Sequence, residues 1–192
     1  MNVIVCLDER QGMMFNKRRQ SQDRAVRERI LHLCEGSVLW MKAYSYKLYE
    51  PLQVNQIETD TESSQEGVQK SLQEECLKDA QIQTERKPVK IEVEEAFLQK
   101  AEDGDFCLVE DASLKPYESQ IEKVIVFCWN KKYPADFYLD LNLDSGEWEL
   151  ESETKFAGIS HPEITEKVYR HVICPDDAAG ASERGDYERR HK

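Results

Sequence analysis

The chain holds no apolar run approaching the ~18 residues a helix needs to cross a bilayer, so nothing in its 192 residues reads as a membrane span. Paired cysteines are lacking as well. The six thiols (Cys6, Cys34, Cys76, Cys107, Cys128 and Cys174) stand far apart without a C-x-x-C. Cys6, Cys107 and Cys128 lie inside apolar runs, where a thiol behaves as a small hydrophobe. The opening residues Met1 to Asp8 reach an acid too soon for a signal peptide. A disulfide framework is therefore not expected, and the chain reads as cytoplasmic. Histidine is scarce: His32, His161, His171 and His191 show neither H-x-H nor H-E-x-x-H spacing, so no metal site is expected. A G-x-S-x-G turn is also missing, no Ser-His-Asp arrangement is read, and His161, before Pro162, reads as a turn residue.

Charge, by contrast, is plentiful. Charged residues make up 33% and hydrophobic ones 40%, with a net charge of −12 and a mean hydropathy of −0.71. That is polar, yet too rich in aliphatic and aromatic residues for a chain disordered throughout. Residues 55–86 hold no aromatic residue and carry eight acids against three bases. Such a segment buries too little apolar surface to offset its ordering entropy, and reads as a flexible acidic insert. The tail, 175–192, is rich in Ala, Gly, Asp and Arg and is expected to be disordered. Residues 1–174, less the insert, then form a single α/β domain of comfortable one-core size.

Within that domain, strands and helices alternate. Val3 to Leu7, ending at Asp8, is a continuous apolar run of the kind buried on both sheet faces. Ser21 or Asp23 can cap a helix whose Val26, Ile30, Leu33 and Cys34 share one side, and Gly36 fits a left-handed stop. Val38 to Met41 reads as a second buried strand, Ala43 to Tyr49 as a short helix, and Glu92 to Lys100 as another. Phe106 to Val109 is a strand and Tyr117 to Glu122 a helical turn. Lys123 to Trp129, Phe137 to Leu143 and Trp148 to Phe156 read as strands, the last two with half-exposed alternation. Ile164 to Ile173 carries both periods, and its β-branched content favours a strand. The expected fold class is α/β: a mixed, mostly parallel sheet flanked by helices, with antiparallel C-terminal strands.

The most informative cluster lies between Arg10 and Arg29. Seven bases (Arg10, Lys17, Arg18, Arg19, Arg24, Arg27 and Arg29) face two acids, Asp23 and Glu28, within an acidic chain. A concentrated positive loop suits an anion, and Arg18 with Arg19 can fork onto a phosphate or carboxylate. The competing reading is a solvated face paired with acids elsewhere. Asn16 and Gln20 can hydrogen-bond a ligand edge, and ordinary loop polarity explains them equally. Met13, Met14 and Phe15 read either as a lid or as packing against the sheet. Trp40, Trp129 and Trp148 read as core or sheet-face aromatics.

The order of elements resembles dihydrofolate reductase. Val3 to Asp8, Gly12-Met13, and Asp23 at a helix start are similar to that family's opening. Val38 to Met41 followed by Lys42, then Lys123 to Trp129, Pro134 to Phe137, Trp148 to Phe156 and Thr165 to Arg170, resemble its remaining strands. The resemblance implies that Asp23 is a site acid, the candidate catalytic residue, and sets Lys42 at the end of a site strand; with the basic loop's Asn16, Lys17, Arg18, Arg19 and Gln20, Lys42 completes the expected ligand-binding set. Departures are equally specific. The family's Gly-Gly pair, which lets backbone approach a nicotinamide coenzyme, is replaced after Leu108 by Val109-Glu110-Asp111. The family's strand threonine corresponds to Phe127, and its Pro-Trp is missing from Met14 to Lys17. The strings Gly12 to Arg24, Leu39 to Met41, Gly104 to Cys107 and Trp129 to Asp136 are also similar to a group of short bacterial proteins sometimes catalogued as ribonuclease Z. True ribonuclease Z needs an H-x-H-x-D-H cluster for two zinc ions, and the sequence has none.

Three functional expectations follow. The first is a catalytically degenerate reductase-like domain that uses no cofactor and binds a small anionic or nucleotide-like ligand. The second is an RNA- or protein-interaction module working through the basic loop. The third is an NADPH-dependent reductase.

Overall fold

A computed structural model describes residues 1–50, 52 and 87–172. The acidic insert expected at 55–86 and the tail at 175–192 lie outside the described residues. The main sheet has seven strands: β1 (Asn2–Leu7), β4 (Val38–Met41), β5 (Lys90–Val93), β6 (Phe106–Leu108), β7 (Lys123–Cys128), β9 (Trp148–Phe156) and β10 (Ile164–His171). Their spatial order is β5-β4-β6-β1-β7-β10-β9. Neighbours from β5 to β7 pair in parallel, whereas β10 runs antiparallel to both β7 and β9. The expected fold class is the observed one. Strand β1 sits centrally because its residues are apolar on both faces: Val3, Val5 and Leu7 enter one core and Ile4 the other.

One face is covered by α1 (Arg24–Leu33), whose Val26, Ile30 and Leu31 pack on Ile4, Leu39, Ile125 and Phe127. Asp23 caps this helix, accepting from the Ala25 N–H at 2.9 Å, and Gly36 follows it with φ +75°. A second helix, α2 (Ala43–Tyr46), is a single turn. The opposite face is covered by short 3₁₀ turns at Phe97–Gln99 and Lys115–Gln120 and by Leu139, Leu141 and Leu143. Among the described residues, no helix is long and apolar enough to cross a membrane.

Three local expectations are corrected. The helix expected over Glu92 to Lys100 is instead the end of edge strand β5 followed by a 3₁₀ turn. Ile91 and Glu92 are half-buried between the exposed Lys90 and Val93, and the segment pairs along β4 from Val38↔Lys90 to Met41↔Val93. The strand expected over Phe137 to Leu143 is confined to β8 (Phe137–Tyr138). The leucines beyond it alternate inward, but the intervening Asp140 accepts the Leu114 N–H at 2.9 Å and the Ser113 hydroxyl, so it holds a loop instead of a ladder. Last, the basic loop is a hairpin. Strands β2 (Gly12–Phe15) and β3 (Arg18–Arg19) pair across Asn16-Lys17, and β8 completes a second, three-stranded sheet. Asn16 and Lys17 have φ of 51° and 57°, the signature of a type I′ turn.

Candidate functional site

In an open α/β sheet, ligands gather at the carboxyl ends of parallel strands where the connections diverge. Here those ends belong to β6, β1 and β7. Cys6, Leu108, Glu110 and Trp129 form the floor of a cleft there, walled by the β2–β3 hairpin, by Ser21 to Asp23 at the start of α1, and by Ser45 to Tyr49. The cleft is narrow, with a free volume of about 30 Å³, room for a water molecule or two. Met13 and Met14 are buried beside it, the packing alternative for these residues, while Phe15 is 43% exposed.

Charges that the sequence places on opposite sides of a functional argument meet each other in this cleft. The Arg19 guanidinium forks onto the Glu110 carboxylate, Nε to Oε1 at 2.8 Å and Nη2 to Oε2 at 3.1 Å. Glu110 also accepts the Ser45 hydroxyl, and Arg19 lies 4.2 Å over the Tyr44 ring. Burial works against the Arg19 charge, but the Glu110 carboxylate outweighs it and raises the guanidinium pKa. Lys42 pairs with Asp111 at 2.9 Å. Both acids of Val109-Glu110-Asp111 are thus neutralised by bases expected at a ligand site. Val109 is itself buried, its N–H donated to the Ile4 carbonyl at 2.9 Å.

Other bases of the cluster are engaged as well. Arg24 pairs with Glu28, Arg29 with Glu166, and Arg10 donates to the Tyr133 carbonyl. Arg27 gives one nitrogen to the Leu48 carbonyl. Lys17 and Arg18, both exposed, make no ion pair among the described residues. They stand at the tip of the hairpin beside an open groove of about 620 Å³ lined by Phe15, Asn16, Arg18, Arg19, Gln20, Tyr133 and Pro134. Gln20 donates to the Pro134 carbonyl at 3.2 Å, and the Asn16 N–H to Asp136 at 2.8 Å. Within the neighbouring cleft, Gln20 Oε1 and Arg27 Nε are buried with no hydrogen-bond partner among the described residues.

Asp23 is buried. Its Oδ1 accepts from the N–H of Ala25 and from that of Ile159 at 3.0 Å. Its Oδ2 accepts the Ser160 N–H at 2.7 Å and the Ser160 hydroxyl at 2.8 Å. Burial alone would raise the Asp23 pKa, but these donors prevail and hold the carboxyl well below the usual carboxylate range. The residue therefore staples the start of α1 to the segment between β9 and β10. Gly158 is required there: a Cβ would lie 2.5 Å from Asp23 Oδ2.

His161 is the site residue that sequence reading misses. It is 3% exposed and stacked on Trp129 with ring centroids 4.7 Å apart. Its Nδ1 lies 3.3 Å from Asp23 Oδ2 and 3.0 Å from Ser160 Oγ; its Nε2 lies 3.0 Å from Ser21 Oγ and 3.1 Å from the Tyr133 hydroxyl. A proton on Nδ1 suits the Asp23 carboxylate beside it, and in that tautomer the single Nε2 lone pair faces the Ser21 and Tyr133 hydroxyls. The sequence signal was faint, because Ser21 and Asp23 are separated from His161 by nearly the whole chain.

No protein-family model matches the chain, and no curated protein matches it. Among solved structures, a dihydrofolate reductase from Enterococcus faecalis complexed with NADP(H) and RAB-propyl is similar, at 12% identity and a TM-score of 0.49 over 88% of this chain and 95% of that one. At that identity no residue role transfers.

Proposed function

We propose that this protein is a reductase-like binding domain, degenerate in nicotinamide chemistry, that takes a small anionic, nucleotide-like ligand in the groove beside the β2–β3 hairpin. The observation that carries the reading is the pairing of cations. Arg19 and Lys42 are matched to Glu110 and Asp111, whereas Arg18 and Lys17 make no ion pair among the described residues, and Arg18 lines a groove of about 620 Å³. That volume falls within the range of small-molecule sites, roughly 300–1,000 Å³. Phe15 and Tyr133 supply aromatic faces for a base, and Arg18 suits a phosphate. Lys17 adds support. A side chain held at φ 57°, where glycine would be relaxed, is the kind of strain kept at working sites.

The residues present do not fit a nicotinamide coenzyme after β6. Glu110 and Asp111 already hold Arg19 and Lys42, so those cations are not free to meet a pyrophosphate there, and the adjoining cleft is about 30 Å³. Thermal-shift screening against nucleotides, pterins and phosphorylated metabolites tests the reading. Stabilisation by at least one phosphorylated nucleotide, lost in Arg18→Ala, is expected; no shift with any of them refutes it. The interaction-module reading draws on the exposed Phe15 beside the same cations and on the exposed Tyr138 of the same three-stranded sheet. It predicts instead an affinity for RNA that grows with oligonucleotide length and falls steeply with salt.

A further inference from the structure

We propose that Ser21, His161 and Asp23 form a nucleophile, general base and orienting carboxylate that cleave esters of short-chain carboxylic acids. Three atoms stand in relay: Ser21 Oγ is 3.0 Å from His161 Nε2, and His161 Nδ1 is 3.3 Å from Asp23 Oδ2. A serine is a poor nucleophile unless a base within hydrogen-bond reach takes its proton and a third group fixes that base. Each condition is met here. The imidazole is locked in place by the Trp129 stack, and its Nδ1 proton is shared by Asp23 and Ser160. The Asp23 carboxylate is in turn fixed by three backbone N–H groups.

Access distinguishes the two hydroxyls on Nε2. Ser21 is partly exposed and lines the narrow cleft, whereas Tyr133 lines the neighbouring groove. The cleft's small free volume limits the acyl group to a short chain.

The chemistry balances without an outside oxidant or reductant. The Ser21 Oγ–H proton passes to Nε2 as the Oγ–carbon bond forms, and the imidazolium returns that proton to the departing alcohol as the ester C–O bond breaks. A water then repeats the sequence: it gives a proton to Nε2, its oxygen bonds to the acyl carbon, and Ser21 Oγ leaves with the proton. Ser21 and His161 are catalytic in this scheme, and Asp23 is a positioning residue.

The test uses the full chain with a small fluorophosphonate, the labelled residue located by mass spectrometry, and with p-nitrophenyl acetate hydrolysis. Label on Ser21 is expected, absent in Ser21→Ala and slowed roughly a hundredfold or more in His161→Gln, with both variants folded by circular dichroism. Tyr133→Phe should keep the label. Asp23→Asn, assayed below its melting temperature, should lower kcat with KM unchanged. Absence of label on the folded wild type, label persisting in Ser21→Ala, or hydrolysis indifferent to both Ser21→Ala and His161→Gln would overturn the proposal.

Discussion

Replacing Asp23 by Asn removes one charge and one acceptor from a buried staple while keeping its shape. The Oδ1 position can still accept from Ala25 and Ile159. The new amide nitrogen, however, faces the Ser160 N–H and the His161 Nδ1–H, two donors that cannot turn away, while the Ser160 hydroxyl can turn to the Gln22 carbonyl. Hydrogen bonds to a charged group contribute about 1.5–3 kcal/mol each, so losing two and leaving their donors unpaired costs about 3–5 kcal/mol. Against a total stability of about 5–15 kcal/mol for a domain, that is a large fraction. Urea unfolding at pH 7 should show the midpoint falling with the slope unchanged. Acid should tell the same story. The Asp23 carboxyl is held below its unfolded value of about 3.9, so its stabilisation is complete above about pH 5 and declines as pH falls below about 4. Asn cannot titrate, so the stability difference between the proteins should narrow over that range, while Asp8 and Asp140, also lowered, keep some acid dependence in both. A loss under about 1 kcal/mol at pH 7, or a difference indifferent to acid, would refute the staple.

Three further outcomes follow from the same geometry. Gly158→Ala sets a methyl 2.5 Å from Asp23 Oδ2 and 2.6 Å from Ile164 Cδ1, and should lower stability by about 2–3 kcal/mol in the same urea assay. A double-mutant cycle on Arg19→Ala and Glu110→Ala should return a coupling of about 1–3 kcal/mol, since the fork is bidentate and mostly shielded, at 16% and 14% exposure; a value near zero would mark an ordinary surface pair. Lys17→Gly relaxes a left-handed residue and should stabilise the hairpin by about 1 kcal/mol in thermal unfolding while weakening nucleotide binding.

Much of the fold is visible in the chain because its central strands are apolar on both faces. Val3 to Leu7 and Val124 to Cys128 can sit only in the middle of a sheet, and they do. Asp23 as a helix cap was equally legible, since the signal is local. What escaped was non-local. Alternation over Phe137 to Leu143 reports which side chains turn inward, not whether a neighbouring strand accepts the backbone, and Asp140 decides that. The hairpin turn uses Asn-Lys in place of the usual Asn-Gly, so its local signal is weak. At the site, counting charge showed a basic cluster and an acidic pair but not that Arg19 reaches Glu110 across 91 positions of sequence. His161 read as a turn residue because its partners Ser21, Asp23 and Tyr133 come from other segments.

Backbone amide chemical shifts, followed as AMP is titrated into the protein, test most directly whether the hairpin groove, and not the strand-end cleft, takes the ligand. Saturating shifts at Asn16, Lys17, Arg18 and Tyr133, with Val109, Glu110 and Asp111 unmoved, are the predicted result. Shifts centred on Val109 to Asp111, or none at the hairpin, would contradict it.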